Sequence, residues 1–328
     1  MALLPDAASQ EFDSFVVQDE RAFAARDSRL AFTTYGNRTA ALPVVSISAA
    51  RGLSPAFRSA SGIPDVDTVD LVGAGLAQLT TTAWTREPHF EARRSSLVPF
   101  IRAAVHAGLS GSGTVIASSV RASDIASFLD VVDTRVDVVR AESHYILELG
   151  GSRSMEEFFE QCSNKQGKTW EGDIQRSAAA GLSFDVEPLT SEIAAEMAPA
   201  LAATSERNGM PEMVELAEWR MLGILSRPGE HLCIRIRMEG EVIGFGGWTV
   251  AGVNVLAHTF AFDGDPGLQR DVYLYLYEAC LRFALERGSH VIHLGTGHGH
   301  PKRARGCVEQ GRWHVTYSSD DKVQSDRR

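Results

Sequence analysis

Three consecutive apolar segments, separated by short turns, constrain the fold of this chain more than any other feature. The segments are His231–Met238, Glu241–Val250 and Asn254–Phe262, and the turns between them are Glu239-Gly240 and Ala251-Gly252. Apolar runs joined by two-residue turns that contain glycine are typical of β-hairpins. The sequence therefore predicts an antiparallel meander of three strands in the second half of the chain.

The elements after the meander predict where its sheet opens. Asp263–Gly267 breaks the apolar pattern, Asp271–Arg287 has helical spacing with Gly288 as its stop, and Val291–Leu294 is a short apolar strand. A last strand is expected at Trp313–Tyr317 and is assigned to the same unit. This order predicts an α+β fold whose sheet splays apart after the third meander strand and leaves a groove.

The loop after Val291–Leu294 carries the most unusual chemistry of the chain. Its glycines allow a tight backbone, and donors and cations crowd just beyond the strand end: His298, His300, Lys302, Arg303 and Arg305. Loops that follow strands often hold binding groups. A solvated basic turn would explain the same charges.

Length and linker composition predict two domains. A chain of 328 residues exceeds one typical domain, and Gly150-Gly151-Ser152 is the best linker. Residues 1–150 are interpreted as a scaffold of mixed α and β structure, and residues 151–328 as the unit that carries the groove. Two capping boxes after the linker predict helices, and the second helix presents Lys165, Lys168 and Arg176.

Composition limits the functional classes. The net charge of −10 opposes nucleic-acid binding by the whole surface but permits local basic patches. No apolar run is long enough to span a bilayer, and no basic segment precedes the apolar start, so a cytoplasmic protein is expected. The four cysteines are scattered and the histidines lack metal-ligand spacing, so we expect no metal site and no covalent intermediate.

The order of elements resembles the GNAT acyltransferase superfamily, and residues 144–317 resemble its FemAB-like branch, which carries two GNAT-like units. The resemblance is carried by His144–Leu149 with the basic helix that follows, and by Leu294-Gly295 followed by Lys302 and Gly306. Two positions depart from this motif: Pro301 precedes Lys302, where the family has an aromatic residue, and Arg305 stands at another position where an aromatic residue is usual. The resemblance implies two tandem GNAT-like units, each a mixed and mostly antiparallel sheet flanked by helices.

The resemblance also implies amide formation by acyl transfer, with aminoacyl-tRNA as the donor and the amine of a small molecule or peptide as the acceptor. Coenzyme A is disfavoured because Asp263–Asp271 places carboxylates where a pyrophosphate would meet a helix N-terminus. No tightly bound cofactor is expected. The alternatives are an N-acyltransferase that uses acyl-CoA or a carrier-protein thioester, and a binding module that has lost turnover.

Three side chains are predicted to carry the chemistry. The resemblance implies that Lys302 faces the developing oxyanion, whereas His258 and His298 are the candidate bases. A surface lysine and a hydrogen-bonded structural histidine are the competing interpretations.

Other residues are predicted to bind the two substrates. Lys165, Lys168, Arg176 and Arg303 are assigned to the tRNA donor. Polar and aromatic residues are assigned to the acceptor, with core packing as the alternative for the aromatic ones: Asp263, Trp248, Tyr273, Tyr277, Asn208, His300 and Arg305.

Overall fold

The computed structural model describes residues 31–36, 40–48, 68–72, 84–85, 90–111, 113–122, 124–130, 134–207, 213–225 and 229–318. It divides into two compact units. The first contains Met1–His144 and Gln310–Arg328, and the second contains Tyr145–Glu309. This division differs from the expected one at residue 150, chiefly because the C-terminal segment belongs to the first unit.

The described residues of the first unit form strands of a sheet and two helices. Its elements are β1 (Ala31–Gly36), β2 (Ala40–Ser48), β3 (Thr68–Val72), β4 (Trp84–Thr85), α1 (Phe90–Gly111), β5 (Thr114–Arg121), α2 (Ile125–Leu129), most of β6 (Arg135–Glu148) and most of a late strand, Val308–Ser318. The strands run in the order β1, β2, β3, β5 and then the late strand, and β3 is parallel to β5. Strands β1 and β2 pair antiparallel.

The late strand corrects the interpretation that Trp313–Tyr317 completes the second unit. Its residues Arg312–Ser318 pair antiparallel with β5 of the first unit. Val315 and Tyr317 pack in the core of that unit beside Ile101 and Val105 of α1. The Tyr317 hydroxyl donates to the Phe128 carbonyl at 2.6 Å. Burial of this strand among apolar residues of the first unit accounts for its placement there.

The second unit contains the remaining elements. They are α3 (Met155–Gln161), α4 (Asn164–Ala179), β7 (Leu182–Pro188), α5 (Ser191–Arg207), α6 (Val214–Leu225), β8 (Glu230–Met238), β9 (Glu241–Ala251), β10 (Asn254–Phe262), α7 (Gln269–Glu286), β11 (Val291–His293), α8 (Gly299–Ala304) and β12 (Val308–Ser318), which is the late strand that continues into the first unit. The predicted capping box at the start of α4 is present, with Ser163 and Gln166 bonded reciprocally. The helix α8 lies where the sequence predicted only a loop.

The predicted meander is confirmed. Strands β8, β9 and β10 pair antiparallel in sequence order, and the sheet continues on one side to β7 and on the other to β11 and the end of β6. One face packs against α7, where Val272 and Leu276 meet the meander glycines Gly244 and Gly246. The other face packs against α5 and α6. Because side chains alternate along a strand, neighbouring residues of the meander belong to different faces.

The predicted splay is also present. Strand β10 pairs with β11 in parallel only from Asn254 to Leu256, which face Val291 to His293. Beyond Leu256, no strand of the described chain pairs with residues 257–262 on that side, although β9 pairs with them on the other. The sheet is therefore open between the later part of β10 and the loop that follows β11.

No helix in the described part of the chain combines the length and apolarity needed to cross a membrane.

Candidate active site

His258 lies at the point where the sheet opens. The register between β10 and β9 shifts between Ala257 and Thr259, so His258 occupies a β-bulge just beyond the last residue paired with β11. Bulges redirect side chains and are frequent beside active sites. His258 is the residue that the sequence analysis proposed as a candidate base.

A row of three polar side chains crosses the meander at this level. The Thr249 hydroxyl lies 2.6 Å from Nε2 of His258 and 2.9 Å from Nδ1 of His231. Thr249 is fully buried, whereas both histidines are half-buried. We call these residues the histidine–threonine row. Neither His231 nor Thr249 was predicted to be a site residue.

An aromatic cluster lies on the α7 side of the sheet. The Tyr273 and Tyr277 rings are 5.0 Å apart and their hydroxyls are 2.6 Å apart, and Phe260 stands 5.7 Å from each ring. His298 packs edge-on against Tyr273 at 5.6 Å. Desolvation raises the pKa of both phenols, so they remain protonated donors near neutral pH.

The histidine–threonine row and the aromatic cluster face opposite sides of the sheet. Trp248 packs against Phe283 of α7 at 5.5 Å, so its neighbour Thr249 points to the α5–α6 side and His258 with it. Phe260 contacts the tyrosines of α7 and so points to the other side. The two candidate bases, His258 and His298, therefore lie on opposite sides of the sheet and do not belong to one group of neighbouring side chains.

Lys302 does not point into bulk water. Its side chain is 2% exposed, and its ammonium donates to the carbonyls of Leu294 and Thr296, each at 2.7 Å, and to that of Gly295 at 3.4 Å. The Tyr145 ring lies 5.2 Å from Nζ. An ammonium has three N–H groups, and these three carbonyls engage them. We call the three hydrogen bonds from Lys302 to the loop after β11 the lysine clamp. Lys302 could bond directly to an oxyanion only if it gave up its hydrogen bond to one of these carbonyls.

The clamp also orients the backbone of the loop. In a planar trans peptide the C=O of one residue points opposite to the N–H of the next. Since the carbonyls of Leu294 and Thr296 point at Lys302, the N–H groups of Gly295 and Gly297 point away from it. Gly295, Gly297 and His298 all have positive φ, which His298 adopts at 45° despite its side chain.

The assignment of Arg305 to the acceptor is corrected by the structure. Arg305 is 4% exposed and forms an ion pair with Asp173 of α4, which is equally buried. It also donates to the Pro301 carbonyl at 2.6 Å, and the Trp170 indole donates to the Arg305 carbonyl at 3.1 Å. Arg305 therefore joins α8 to α4, and its guanidinium is engaged by Asp173 and by the Pro301 carbonyl.

Two of the predicted aromatic contacts are likewise core residues. Trp248 is fully buried and Tyr277 is 2% exposed, so in this structure neither presents a surface to a ligand. Tyr273 is half-buried and is more accessible than Tyr277. The tyrosine between them in sequence, Tyr275, packs on Phe184 instead. Helical geometry explains this split, because residues four apart share a face and residues two apart do not.

The structure describes two of the three remaining residues that were predicted to bind the acceptor. Asp263 and His300 are exposed, the first after β10 and the second on α8. Asn208 lies outside the described residues.

The predicted donor residues are exposed but differ in their partners. Arg176 pairs with Asp173, and Arg303 donates to Glu309 at 2.8 Å and to the Tyr145 hydroxyl at 3.0 Å. Lys165 and Lys168 are exposed on α4 and have no ion-pair partner among the described residues. At about 100° per residue, Lys165, Lys168 and Arg176 lie within a sector of about 80° on that helix. They form one basic stripe.

The turn before α7 is already filled by a carboxylate. Oδ1 of Asp265 accepts the Gly267 N–H at 2.8 Å, and the Asp265 carbonyl accepts the Leu268 N–H at 2.9 Å. Asp271 adds a second negative charge in the first turn of the helix. An anionic pyrophosphate at this helix end would meet both carboxylates.

The cysteines do not provide a nucleophile. All four are free thiols, and Cys233, Cys280 and Cys307 are buried. Burial raises the pKa of Cys233 and of Cys307 to about 12. Because the thiolate is the reactive form, these side chains are inert near neutral pH.

Comparison with known proteins gives a fold. No protein-family model and no curated protein matches the sequence. Among solved structures, FemX matches with a TM-score of 0.65 at 10% identity, over 100% of this chain and 99% of that chain. The C-terminal domain of a putative lysylphosphatidylglycerol synthetase from Agrobacterium fabrum matches with a TM-score of 0.58 at 12% identity, over 98% and 95%.

A third similar structure is a tandem GNAT protein from the clavulanic acid biosynthesis pathway. It has a TM-score of 0.50 at 13% identity, over 97% of this chain and 96% of that chain. This chain has a FemAB-like tandem GNAT fold. The fold expected from the sequence is confirmed, including the mixed, mostly antiparallel sheets and the flanking helices. In the tandem GNAT fold of this chain, the open edge of β10 belongs to the second unit.

Proposed function

We propose that this protein is an amide-forming acyltransferase that moves an aminoacyl group from aminoacyl-tRNA to the amine of a small molecule or peptide. The observation that carries the proposal is the opening of the sheet beyond Leu256, with His258 in the bulge at its edge. The likeness to FemX supports a transferase on this fold.

The reaction needs three things from the protein. The amine must be neutral when it attacks the ester carbonyl, the oxyanion must be stabilised, and the leaving hydroxyl must receive a proton. His258 is the side chain at the open edge that can take the amine proton and return one to the leaving oxygen. We assign Lys302 to the loop that borders the opening, where it orients peptide dipoles.

We assign the donor from the charges in the turn before α7 and along α4. The filled turn before α7 disfavours the pyrophosphate of coenzyme A, because Asp265 already accepts the Gly267 amide there. The basic stripe on α4 suits a phosphate backbone, since Lys165 and Lys168 have no ion-pair partner among the described residues.

Removal of the candidate base should abolish most of the turnover. We expect His258→Gln to lower kcat by about 100-fold, because a positioned base contributes about 10²- to 10⁴-fold. The measurement follows loss of the aminoacyl ester from charged tRNA, and in parallel loss of the thioester from acyl-CoA, with a panel of amines.

The matched control is His106→Gln, which alters an exposed histidine of α1 in the first unit and should leave turnover unchanged. Consumption of acyl-CoA with intact aminoacyl-tRNA would replace the donor assignment with the alternative N-acyltransferase. Survival of both donors with every amine would favour a non-catalytic binding module.

The basic stripe should control tRNA affinity in a salt-dependent manner. We expect the double variant Lys165→Gln/Lys168→Gln to bind charged tRNA about 10-fold more weakly at low salt and to reduce the slope of log Kd against log salt by about one to two. Titration of labelled tRNA at several salt concentrations gives both numbers.

The control removes two charges elsewhere. Arg102→Gln/Arg135→Gln changes two exposed arginines of the first unit and has the same net charge as the stripe variant. Equal weakening by the two double variants would show that overall charge, and not the stripe, governs binding.

A further inference from the structure

The open edge of β10 presents backbone groups to the opening at a defined position. In an antiparallel ladder, residues whose N–H and C=O point to the partner strand alternate with residues whose groups point away from it. The N–H of Asp263 donates to the Ile243 carbonyl of β9 at 2.9 Å, which fixes this alternation. The register is regular from Thr259 to Phe262, so the backbone groups of Phe260 and Phe262 point away from β9 and towards the opening.

Helix α5 closes the far end of this edge. The N–H of Phe262 donates to the Thr204 hydroxyl at 3.2 Å, and Arg207 donates to the Phe262 carbonyl at 2.7 Å. Both contacts agree with the direction that the ladder gives for Phe262. At the near end, β11 pairs with β10 only as far as Leu256. Among the described residues, the edge is therefore open between Leu256 and Phe262, a span of about 20 Å in a regular strand.

Phe260 lies within this span and directs both of its backbone groups into it. Neither group has a hydrogen-bond partner among the described residues, and the residue is half-buried. An unpaired strand edge is a template for another extended chain. In a parallel ladder, one residue donates to the carbonyl of one partner residue and accepts the N–H that lies two residues later in the partner. A simple amine lacks two peptide groups at this spacing, whereas an extended peptide has them.

We propose that the acceptor is a short peptide that adds as a parallel strand to the open edge of β10 and pairs with the backbone of Phe260. This inference rests on the proposed acyl transfer and names the class of its acceptor. The carbonyl of the first peptide residue accepts the Phe260 N–H, and the N–H of the third peptide residue donates to the Phe260 carbonyl.

The parallel direction follows from the two ends of the open edge. It places the amine of the first peptide residue level with the bulge that contains His258, where the acyl transfer is assigned. It also repeats the direction of β11, whose place in the ladder the peptide takes beyond Leu256. The antiparallel direction would place the amine towards Phe262, where α5 closes the edge.

The pairing also predicts a side-chain preference. Residues directly opposite each other in a ladder share one face of the sheet, so the second peptide residue lies on the same face as Phe260. The Tyr273 ring is 5.7 Å from the Phe260 ring on that face, and Tyr273 is half-buried. We therefore expect an apolar or aromatic second residue in the acceptor.

The first measurement needs no donor. Exchange of backbone amide hydrogens is followed by NMR with and without the peptide amide Ala-Phe-Ala-Ala. We expect the Phe260 amide of the protein to exchange about 10-fold more slowly at saturating peptide. The internal control is the Ala261 amide, which already points to β9 and should be unaffected.

The second measurement uses two analogues of this peptide in the acyl-transfer assay with charged tRNA. Each analogue carries an ester oxygen in place of one amide N–H, at the third or at the fourth residue. The third N–H faces the Phe260 carbonyl, whereas the fourth faces away from β10. We expect the first analogue to raise KM about fivefold through the loss of one hydrogen bond, and the second to match the parent peptide.

Equal KM values for the two analogues would overturn the inference, as would a Phe260 amide that the peptide does not protect. Protection of Phe260 without acyl transfer from any donor would leave the peptide site in place while the proposed function falls. Transfer to ethylamine as efficient as transfer to the peptide would leave the acyl transfer in place and remove the peptide as its acceptor.

Discussion

Replacement of Asp173 by asparagine is expected to lower the free energy of unfolding by about 3–5 kcal/mol. Asp173 and Arg305 are both almost completely buried and form an ion pair, and Arg176 pairs with the same carboxylate. The substitution leaves the Arg305 guanidinium buried with no balancing charge, and desolvation of an uncompensated cation is the dominant cost. Chemical denaturation of the two proteins gives the difference.

The control for this prediction is Asp185→Asn. Asp185 pairs with Arg237 at 2.6 Å, but it lies 61% exposed on β7, where water screens the pair. We expect a change below about 1 kcal/mol. If Asp173→Asn falls within the same range, Arg305 has another compensating partner and the account of α8 docking on α4 is wrong.

Replacement of Lys302 by methionine should lower both stability and turnover. Methionine keeps much of the apolar stem but removes the donor to at least two carbonyls held at 2.7 Å, and the loss should amount to about 3 kcal/mol. We also expect turnover to fall 10-fold or more, equivalent to about 1.4 kcal/mol in the barrier, because the loop beside the opening loses its fixed peptide planes. Unfolding curves and acyl-transfer rates of the folded fraction measure the two effects separately.

The stability control is Lys165→Met, an exposed lysine of α4 with no expected effect on unfolding. Equal stabilities of the Lys302 and Lys165 variants would rule out the clamp. Native turnover in a folded Lys302→Met protein would remove Lys302 and its loop from the reaction.

Local patterns in the sequence were sufficient to predict the meander, helix α7 and the splay. The apolar runs and two-residue turns around Glu239-Gly240 and Ala251-Gly252 specify strands that pair with their neighbours in the chain. The placement of β12 could not be predicted in this way, because its partner β5 lies almost two hundred residues earlier. Pairing between distant segments leaves no local pattern in either one.

Register explains why His231 escaped prediction. Counting back from the Glu239-Gly240 turn places His231 opposite Trp248, on the face that α7 covers. The register shifts between Ile236 and Arg237, which moves His231 opposite Thr249 and to the other face. A shift of one residue in the pairing register moves each side chain of a strand to the other face of the sheet. The residue types in this segment do not predict such a shift.

Sequence patterns also could not predict which cations of the loop are buried. Lys302, Arg303 and Arg305 have the same appearance in the sequence, yet only Arg303 is exposed. The partner that permits burial of Arg305 is Asp173, 132 residues away, and the partners of Lys302 are backbone carbonyls. The sequence therefore shows where the cations are grouped, but it does not show which of them are buried and which are accessible.

The lysine clamp makes the segment from Leu294 to Lys302 a closed ring, since the side chain of its last residue is tied to the carbonyl of its first. Local unfolding of the loop must therefore break hydrogen bonds of Lys302, which is itself a residue of α8. The exposed imidazole of His298 lies within this ring and packs edge-on against Tyr273, so the contact between the loop and α7 depends on the same lysine that closes the ring.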